Sequence, residues 1–123
     1  TARGREDDRD EIALESLDRL YLAEADVQSL VGVLRRRIEV SADPTLRVEL
    51  GLRLASLSED SLRQPEDAIA ADERVLEEQP GQEHAVLALS RLYERQGMHA
   101  QLLENLKLQA GLTTDPARRV PLL

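Results

Sequence analysis

Apolar residues recur three or four positions apart along most of the chain, which is the spacing that places them on one face of an α-helix. Leu46, Leu50, Leu54 and Leu57 form one such series. Alternation of apolar and polar residues, the pattern of a β-strand, is not found. The series and their interruptions predict six helices, near residues 9–23, 26–41, 44–58, 65–79, 82–96 and 98–112.

The predicted helix ends carry residues with suitable capping chemistry. Asp26, Asp43 and Asp115 are expected N-caps, because a carboxylate can accept hydrogen bonds from the free amides of a first turn. The last two are followed by proline, which suits the first helical position. Gly97 is the expected left-handed residue that ends the fifth helix. Since all connections are short, consecutive helices are expected to pack antiparallel.

The chain contains an internal duplication. Residues 13–50 and 85–122 align without a gap at an offset of 72 positions, and Tyr21 aligns with Tyr93. Agreement over so long a stretch is the signature of a repeat architecture. An offset of 72 residues accommodates two helical hairpins, and so the chain is predicted to contain three. The predicted units are residues 11–43, 44–81 and 82–114.

Two segments flank these units. Residues 1–8 carry dense charge and are predicted to form a frayed lead-in to a single domain of residues 9–123. The duplication predicts a seventh helix from Pro116, truncated because the chain stops at Leu123 and because Pro121 would disturb a helix there. An array without polar capping helices exposes apolar faces at its ends. The chain is therefore expected to be a piece of a longer protein or to dock onto another molecule through these ends.

Composition argues against several kinds of chemistry. The chain has no cysteine, and its two histidines are His84 and His99. Thiolate sites are therefore excluded, and a histidine-built metal site is difficult to assemble. Neither a His–carboxylate–Ser arrangement nor a glycine-rich phosphate loop can be identified. We expect no catalytic residue, no metal and no cofactor, and hence a protein that is not an enzyme.

Charge and hydropathy restrict the partners. The formal net charge is −8, and phenylalanine and tryptophan are absent, which argues against nucleic acid as a partner. Arg35, Arg36 and Arg37 are consecutive, but helical neighbours point about 100° apart and do not form one basic patch. No apolar run reaches the ~18 residues of a membrane span, and no signal peptide is recognised, so membrane insertion is not expected.

The last hairpin carries a family resemblance. A leucine, a small residue, a tyrosine and a glycine stand at Leu89, Ser90, Tyr93 and Gly97. This spacing resembles the first helix and turn of a tetratricopeptide repeat (TPR), and the resemblance covers about residues 11–112 as three units. It implies an all-α fold, a right-handed superhelical stack of antiparallel helical hairpins known as a TPR-like α-solenoid.

The chain departs from the family pattern at particular positions, as divergent bacterial arrays do. Asp18 stands where the family has Gly or Ala, and Leu30 and Leu102 replace alanine. Leu20 and Leu92, which the duplication relates, are expected core positions, and Tyr21 and Tyr93 are expected to pack between the helices of their hairpins.

The resemblance also implies a binding surface. In TPR arrays the first helix of each hairpin lines a concave groove that holds a peptide or a partner protein. Carried over by position, its lining here is Ile12, Glu15, Arg19, Leu22, Glu49, Leu52, Ser56, Glu59, His84, Leu87, Arg91, Glu94 and Arg95. Leu52 and Leu87 lie off the core stripes, and Arg19 and Arg91 repeat at the duplication offset. These four favour a protein or peptide partner with an acidic side chain.

Asp72 interrupts the apolar stripe of the fourth predicted helix, at the position that Leu34 and Leu106 occupy in the other units. A buried carboxyl group must be paired, protonated or near the edge of the core. Its partner could be an arginine of this chain, water, or an arginine of a bound protein.

Three functions remain open from the sequence. The first is a non-catalytic scaffold for protein–protein interaction that presents its groove to a peptide or partner protein. The second is a segment of a larger solenoid with a structural or assembly role, which would self-associate through the ends of the array. The third is the docking arm of an enzyme or regulator whose catalytic domain lies elsewhere.

Overall fold

A computed structural model describes residues 2–112 of the chain, and the side chains of residues 9–111. The described residues form helices without any strand, as the apolar spacing predicts. The six helices are α1 (Ala2–Ala23), α2 (Val27–Val40), α3 (Pro44–Asp60), α4 (Pro65–Glu78), α5 (Glu83–Arg95) and α6 (His99–Leu112). The predicted cap at Asp115 and the predicted seventh helix lie outside the described residues.

The first helix is longer than predicted. Helix α1 begins at Ala2, so the backbone of residues 2–8 continues the helix upstream of the predicted start at residue 9. The apolar pattern did not reveal this extension because five of these seven residues are charged and none is a large apolar residue. The frayed lead-in stays a prediction.

Local capping accounts for several helix starts. Asp26 and Asp43 accept hydrogen bonds from amides in the first turns of α2 and α3, at 3.3 and 3.0 Å. Both predicted caps are thus confirmed. Helix α5 is capped by Gln82, whose side chain accepts from the Ala85 amide at 2.8 Å. Glutamine is uncommon as an N-cap, and the sequence did not indicate this one.

The turn of the first hairpin recurs in the third. Ala25 and Gly97 both adopt left-handed backbone conformations, with φ of 55° and 69°, which confirms the prediction for Gly97. Three backbone hydrogen bonds close each turn, with the same lengths of 3.0, 3.2 and 2.9 Å in both. In the first turn, the amides of Glu24, Ala25 and Asp26 donate to the carbonyls of Leu20, Leu22 and Tyr21, respectively. In the third hairpin, the amides of Gln96, Gly97 and Met98 donate to the carbonyls of Leu92, Glu94 and Tyr93 in the same order. The duplication therefore extends to the backbone of the turns.

Helices that follow one another along the chain pack against each other. The largest buried cluster joins α2, α3 and α4 around Leu34 and Leu50. Helices α3 and α4 approach closely at Gly51, where an added Cβ would lie 2.5 Å from Cγ2 of Val75. A second cluster joins α4 to the last hairpin around Leu92 and Tyr93.

Leu20 does not belong to the core, which corrects the prediction for that residue. Leu92 is completely buried against Ala68 and Ile69 of α4, whereas Leu20 is 49% exposed. Among the described residues, no helix occupies the side of α1 that corresponds to the α4 side of α5. The same side of α1 also presents Leu17, which is exposed although the equivalent Leu89 is buried.

The two tyrosines pack as expected. Tyr21 lies half-buried against the cluster around Leu34, and Tyr93 is buried in the second cluster. The Tyr93 hydroxyl donates a hydrogen bond to Oε2 of Glu73 at 2.8 Å. Burial and this carboxylate raise the pKa of Tyr93 well above its ordinary value. The tyrosine therefore ties α5 to α4 in its neutral form.

Candidate functional site

An open pocket of about 340 Å³ lies between α3, α4 and α5. Its lining residues are Leu52, Ala55, Ser56, Glu59 and Asp60 of α3, Asp72 of α4, and His84, Leu87, Ala88 and Arg91 of α5. We call it the Asp72 pocket. The residues shared with the predicted groove are Leu52, Ser56, Glu59, His84, Leu87 and Arg91.

The geometry of the helix brings these residues together. The predicted residues on α3 and on α5 are each three or four positions apart, so they form one face of each helix. Leu87 is 43% exposed and lines the same pocket as the half-buried Leu52 of α3. The site therefore combines accessible apolar surface with a charged rim, on two helices that are not neighbours in the chain.

Asp72 is the most buried residue of the lining, with 2% of its surface exposed. Its Oδ2 atom has no hydrogen-bond partner among the described residues. Burial is the main reason that the pKa of this carboxyl rises to about 7, and the charge of Glu59 raises it further while Arg91 opposes the change. The sequence left open a position at the edge of the core or pairing within the chain. Asp72 is instead buried, and its Oδ2 atom is unpaired among the described residues.

Arg91 is paired with a carboxylate of its own chain. Its Nη2 and Nε atoms donate to the two oxygens of Glu59 at 2.7 and 3.2 Å, and Glu59 raises the pKa of the guanidinium. The Nη1 atom of Arg95 lies 3.7 Å from the same carboxylate. Glu59 thus supplies the negative charge that the sequence pattern assigned to a partner of Arg91.

The predicted groove residues of α1 do not reach this pocket. Glu15 lies 3.7 Å from Arg37, and Arg19 makes a long 3.4 Å hydrogen bond to Ser16. Leu22 is exposed on the same helix. The other predicted residues outside the pocket lining are Ile12, Glu49, Glu94 and Arg95. The structure therefore unites the α3 and α5 part of the predicted surface and leaves the α1 part separate.

A second polar cluster, centred on Asp18, was not recognised as a site in the sequence. Asp18 is 5% exposed and accepts hydrogen bonds from Arg37 at 2.6 Å and from Arg53 at 2.8 Å through both oxygens. The hydrogen bonds from Arg53, and then Arg37, hold the pKa of this carboxyl below its ordinary value despite its burial. The departure of Asp18 from the TPR pattern was the signal that could have revealed it.

The duplication preserves the position of this contact but not its charges. Asp18 and Arg37 correspond to Ser90 and Gln109, whose side chains form a 3.4 Å hydrogen bond. A neutral pair in the last hairpin thus stands where the first hairpin has an ion pair. Because the contact joins the two helices of a hairpin in both copies, we interpret the Asp18 cluster as structural.

The three consecutive arginines contact three different carboxylates, as their helical spacing predicts. Arg35 lies 3.7 Å from Asp67 of α4, Arg36 lies 3.2 Å from Glu39 of α2, and the third joins the Asp18 cluster of α1. They point in separate directions and form no common basic surface. The prediction that these arginines make no single patch is confirmed.

The histidines lie apart, with His84 at the Asp72 pocket and His99 at the start of α6. Within the described part of the chain, no group of three His, Asp or Glu side chains is arranged to hold a metal ion. None of the described helices combines the length and the apolar character that a bilayer crossing requires.

Comparison with known proteins adds no family assignment. No protein-family model matches the chain, and no curated protein matches it significantly. The site is therefore interpreted from its own geometry and chemistry.

Proposed function

We propose that this protein is a non-catalytic scaffold for protein–protein interaction, built as a TPR-like α-solenoid whose groove holds a peptide or a segment of a partner protein. The observation that carries the proposal is the Asp72 pocket. It collects residues of α3 and α5 that the TPR resemblance independently assigns to a binding groove. Consecutive packing of the helices also supports a stacked array.

The chemistry of the pocket suits recognition of a side chain. A volume of about 340 Å³ is at the small end of the range for ligand sites and can receive part of a peptide. Leu52 and Leu87 offer apolar surface that a partner residue would remove from water. The surrounding carboxylates and Arg91 provide orientation. Such a site binds by presenting a preformed surface, with no covalent step.

Peptide selection followed by affinity measurement tests this function. A phage-displayed random peptide library is selected on the protein, and the enriched peptides are synthesised with a fluorescent label. Binding measured by fluorescence polarisation is expected to weaken at least about tenfold in Leu87→Ser, because a buried apolar contact at an interface is lost. Leu103→Ser removes an exposed leucine of α6 that lies outside both the pocket and the predicted groove, and is the matched control. Failure to enrich any peptide, or equal loss in both variants, would contradict the proposal.

Assembly through the ends of the array is a second candidate, and the apolar side of α1 favours it. Leu17 and Leu20 are exposed where their counterparts Leu89 and Leu92 are covered by α4. A helix that resembles α4, from a second copy or another segment, would cover them in the same way. Sedimentation velocity of wild-type protein is then expected to show concentration-dependent association. Leu20→Glu should abolish it, and Leu22→Glu, on the opposite side of α1, should not.

A further inference from the structure

A buried carboxyl oxygen without a partner is the starting point. Polar groups that are removed from water are almost always hydrogen-bonded, because an unsatisfied group costs about 1–3 kcal/mol. Asp72 breaks this rule, since its Oδ2 has no partner among the described residues although the residue is 2% exposed. It is also a lining residue of an open pocket. A ligand with a hydrogen-bond donor could therefore satisfy it.

The charged groups around Asp72 determine whether a cationic or an anionic ligand is favoured. Glu59, Asp60 and Asp72 contribute three carboxyl groups to the lining, whereas Arg91 contributes one guanidinium. Arg91 is already engaged with Glu59, and Arg95 lies 3.7 Å from the same carboxylate. A cation would find complementary charge here, and a carboxylate would meet repulsion. The formal net charge of −8 would add long-range attraction for a basic partner.

The shape of the pocket favours a long side chain over a bare ion. Ala55 and Ala88, both small, line the pocket with Asp72, while Leu52 and Leu87 provide apolar surface. Lysine and arginine pack their methylene stems on such surface and extend the charged head beyond it. A free metal ion would gain nothing from the leucines.

We propose that the Asp72 pocket receives one lysine or arginine side chain of a bound peptide, whose stem packs on Leu52 and Leu87 and whose cationic head reaches Asp72. This inference rests on the proposed function and specifies its partner. It also replaces the acidic partner expected from the sequence, because Glu59 already neutralises Arg91.

Binding of a cation at this position should be linked to release of a proton. In the described part of the chain, the charged or titratable groups that line the pocket with Asp72 or interact with its charge are Glu59 and Asp60 of α3, and His84, Arg91 and Tyr93 of α5. With a pKa of about 7, the free protein holds a proton on Asp72 in much of the population at slightly acid pH. A nearby positive charge favours the ionised form and displaces that proton.

The test begins with the peptides selected by phage display. We expect a lysine or arginine, flanked by apolar residues, to be enriched at one position. Synthetic peptides that carry arginine, lysine, citrulline or glutamate at that position are then compared by fluorescence polarisation. The two basic peptides should bind at least about tenfold more tightly than the citrulline peptide, and the glutamate peptide should bind most weakly.

Two matched variants locate the effect. Asp72→Asn should weaken the arginine peptide at least about tenfold and leave the citrulline peptide almost unchanged. Asp67→Asn changes an exposed aspartate on the same helix, which lies 3.7 Å from Arg35, and should change neither affinity by more than about twofold. Circular dichroism confirms that both variants fold.

Calorimetry in two buffers of different ionisation enthalpy provides an independent measurement. At slightly acid pH the wild-type protein should release up to about one proton on binding the arginine peptide, and Asp72→Asn should release none. A His84→Gln variant that still releases the proton assigns it to Asp72 rather than to the neighbouring histidine.

The outcomes separate this inference from the function on which it rests. If no peptide is enriched, the proposed function fails, and the basic-side-chain pocket fails with it. Peptides that bind without a basic residue, that prefer glutamate, or that bind equally well to Asp72→Asn overturn the pocket assignment alone. If a basic residue is enriched and the preference for it disappears in Asp72→Asn, both the proposed function and the pocket assignment are supported.

Discussion

Asp72 places a carboxyl group at a position where the neighbouring units have Leu34 and Leu106. Burial raises its pKa from an ordinary 3.8 to about 7, so the folded state binds this proton more tightly than the unfolded state does. The contribution of that proton to stability is fully present below about pH 4, is lost as pH rises, and is gone above about pH 7. Ionised Asp72 therefore destabilises the fold at neutral pH.

Replacing this carboxyl should stabilise the protein in a pH-dependent way. Asp72→Asn is expected to raise the free energy of unfolding on the order of 2 kcal/mol at about pH 8, and much less near pH 4, because the amide never ionises. Urea unfolding monitored by circular dichroism at both pH values measures the difference. Asp67→Asn is the control on the same helix. An equal effect of Asp72→Asn at both pH values would contradict the assignment.

The Asp18 cluster yields a prediction in which one copy of the duplication serves as the template for the other. Asp18→Ser leaves Arg37 largely buried without its main partner, and should lower the free energy of unfolding by about 2 kcal/mol. Adding Arg37→Gln recreates the neutral pair that Ser90 and Gln109 form. The double variant should therefore recover part of the loss in a urea titration. A double variant less stable than Asp18→Ser would show that the two pairs are not equivalent.

At the scale of the element, the repeated turn uses alanine in one copy and glycine in the other. An L-residue in the left-handed region is strained by about 1–2 kcal/mol, and glycine avoids this strain. Glycine also destabilises the folded state by about 0.5–1 kcal/mol, because it increases the entropy of the unfolded chain. Ala25→Gly should therefore stabilise by about 0.5–1 kcal/mol, and Gly97→Ala should destabilise by about the same amount. Thermal unfolding of the two variants measures both. Changes of the same sign would contradict the shared turn geometry.

The helix faces lead to a second prediction at this scale. Leu92→Ala removes a fully buried side chain and should cost about 2–5 kcal/mol. Leu20→Ala truncates the residue at the equivalent position of α1, which is half exposed, and should cost less than about 1 kcal/mol. Urea unfolding of both variants at low protein concentration gives the comparison. A similar cost at the two positions would mean that something covers α1 in solution.

At the scale of the whole molecule, stability should vary from helix to helix along the chain. Helices α3 and α4 each pack on two neighbours, whereas the extensive contacts of α1 within the described residues are those with α2. In arrays whose units contact only their neighbours, terminal units open more readily. Amide hydrogen exchange followed by NMR should be slowest in α3 and α4 and faster in α1. Uniform protection along the chain would show that the helices open as one unit.

The sequence by itself determined the helical elements and their repetition. Apolar spacing predicted the boundaries of α2 through α6 to within two residues, and the caps at Asp26 and Asp43 and the turn at Gly97 followed from local chemistry. These features depend on interactions within a few residues of the chain, which a sequence records directly. The grouping of Leu52 and Leu87 in one surface was also predicted, because the TPR resemblance assigns both positions to the lining of one groove.

The tertiary structure alone decided which of these residues are covered and which charges meet. Leu20 and Leu92 both lie in an Arg-Leu-Tyr segment, and their burial differs because α4 packs on α5 and no described helix packs on α1 in that way. The Oδ2 atom of Asp72 has no hydrogen-bond partner among the described residues because helix packing, rather than the local sequence, removes this position from water. Glu59 neutralises Arg91 because α3 lies beside α5, a contact between residues 32 positions apart. Burial and pairing depend on neighbours distant in the chain, and no local pattern specifies them.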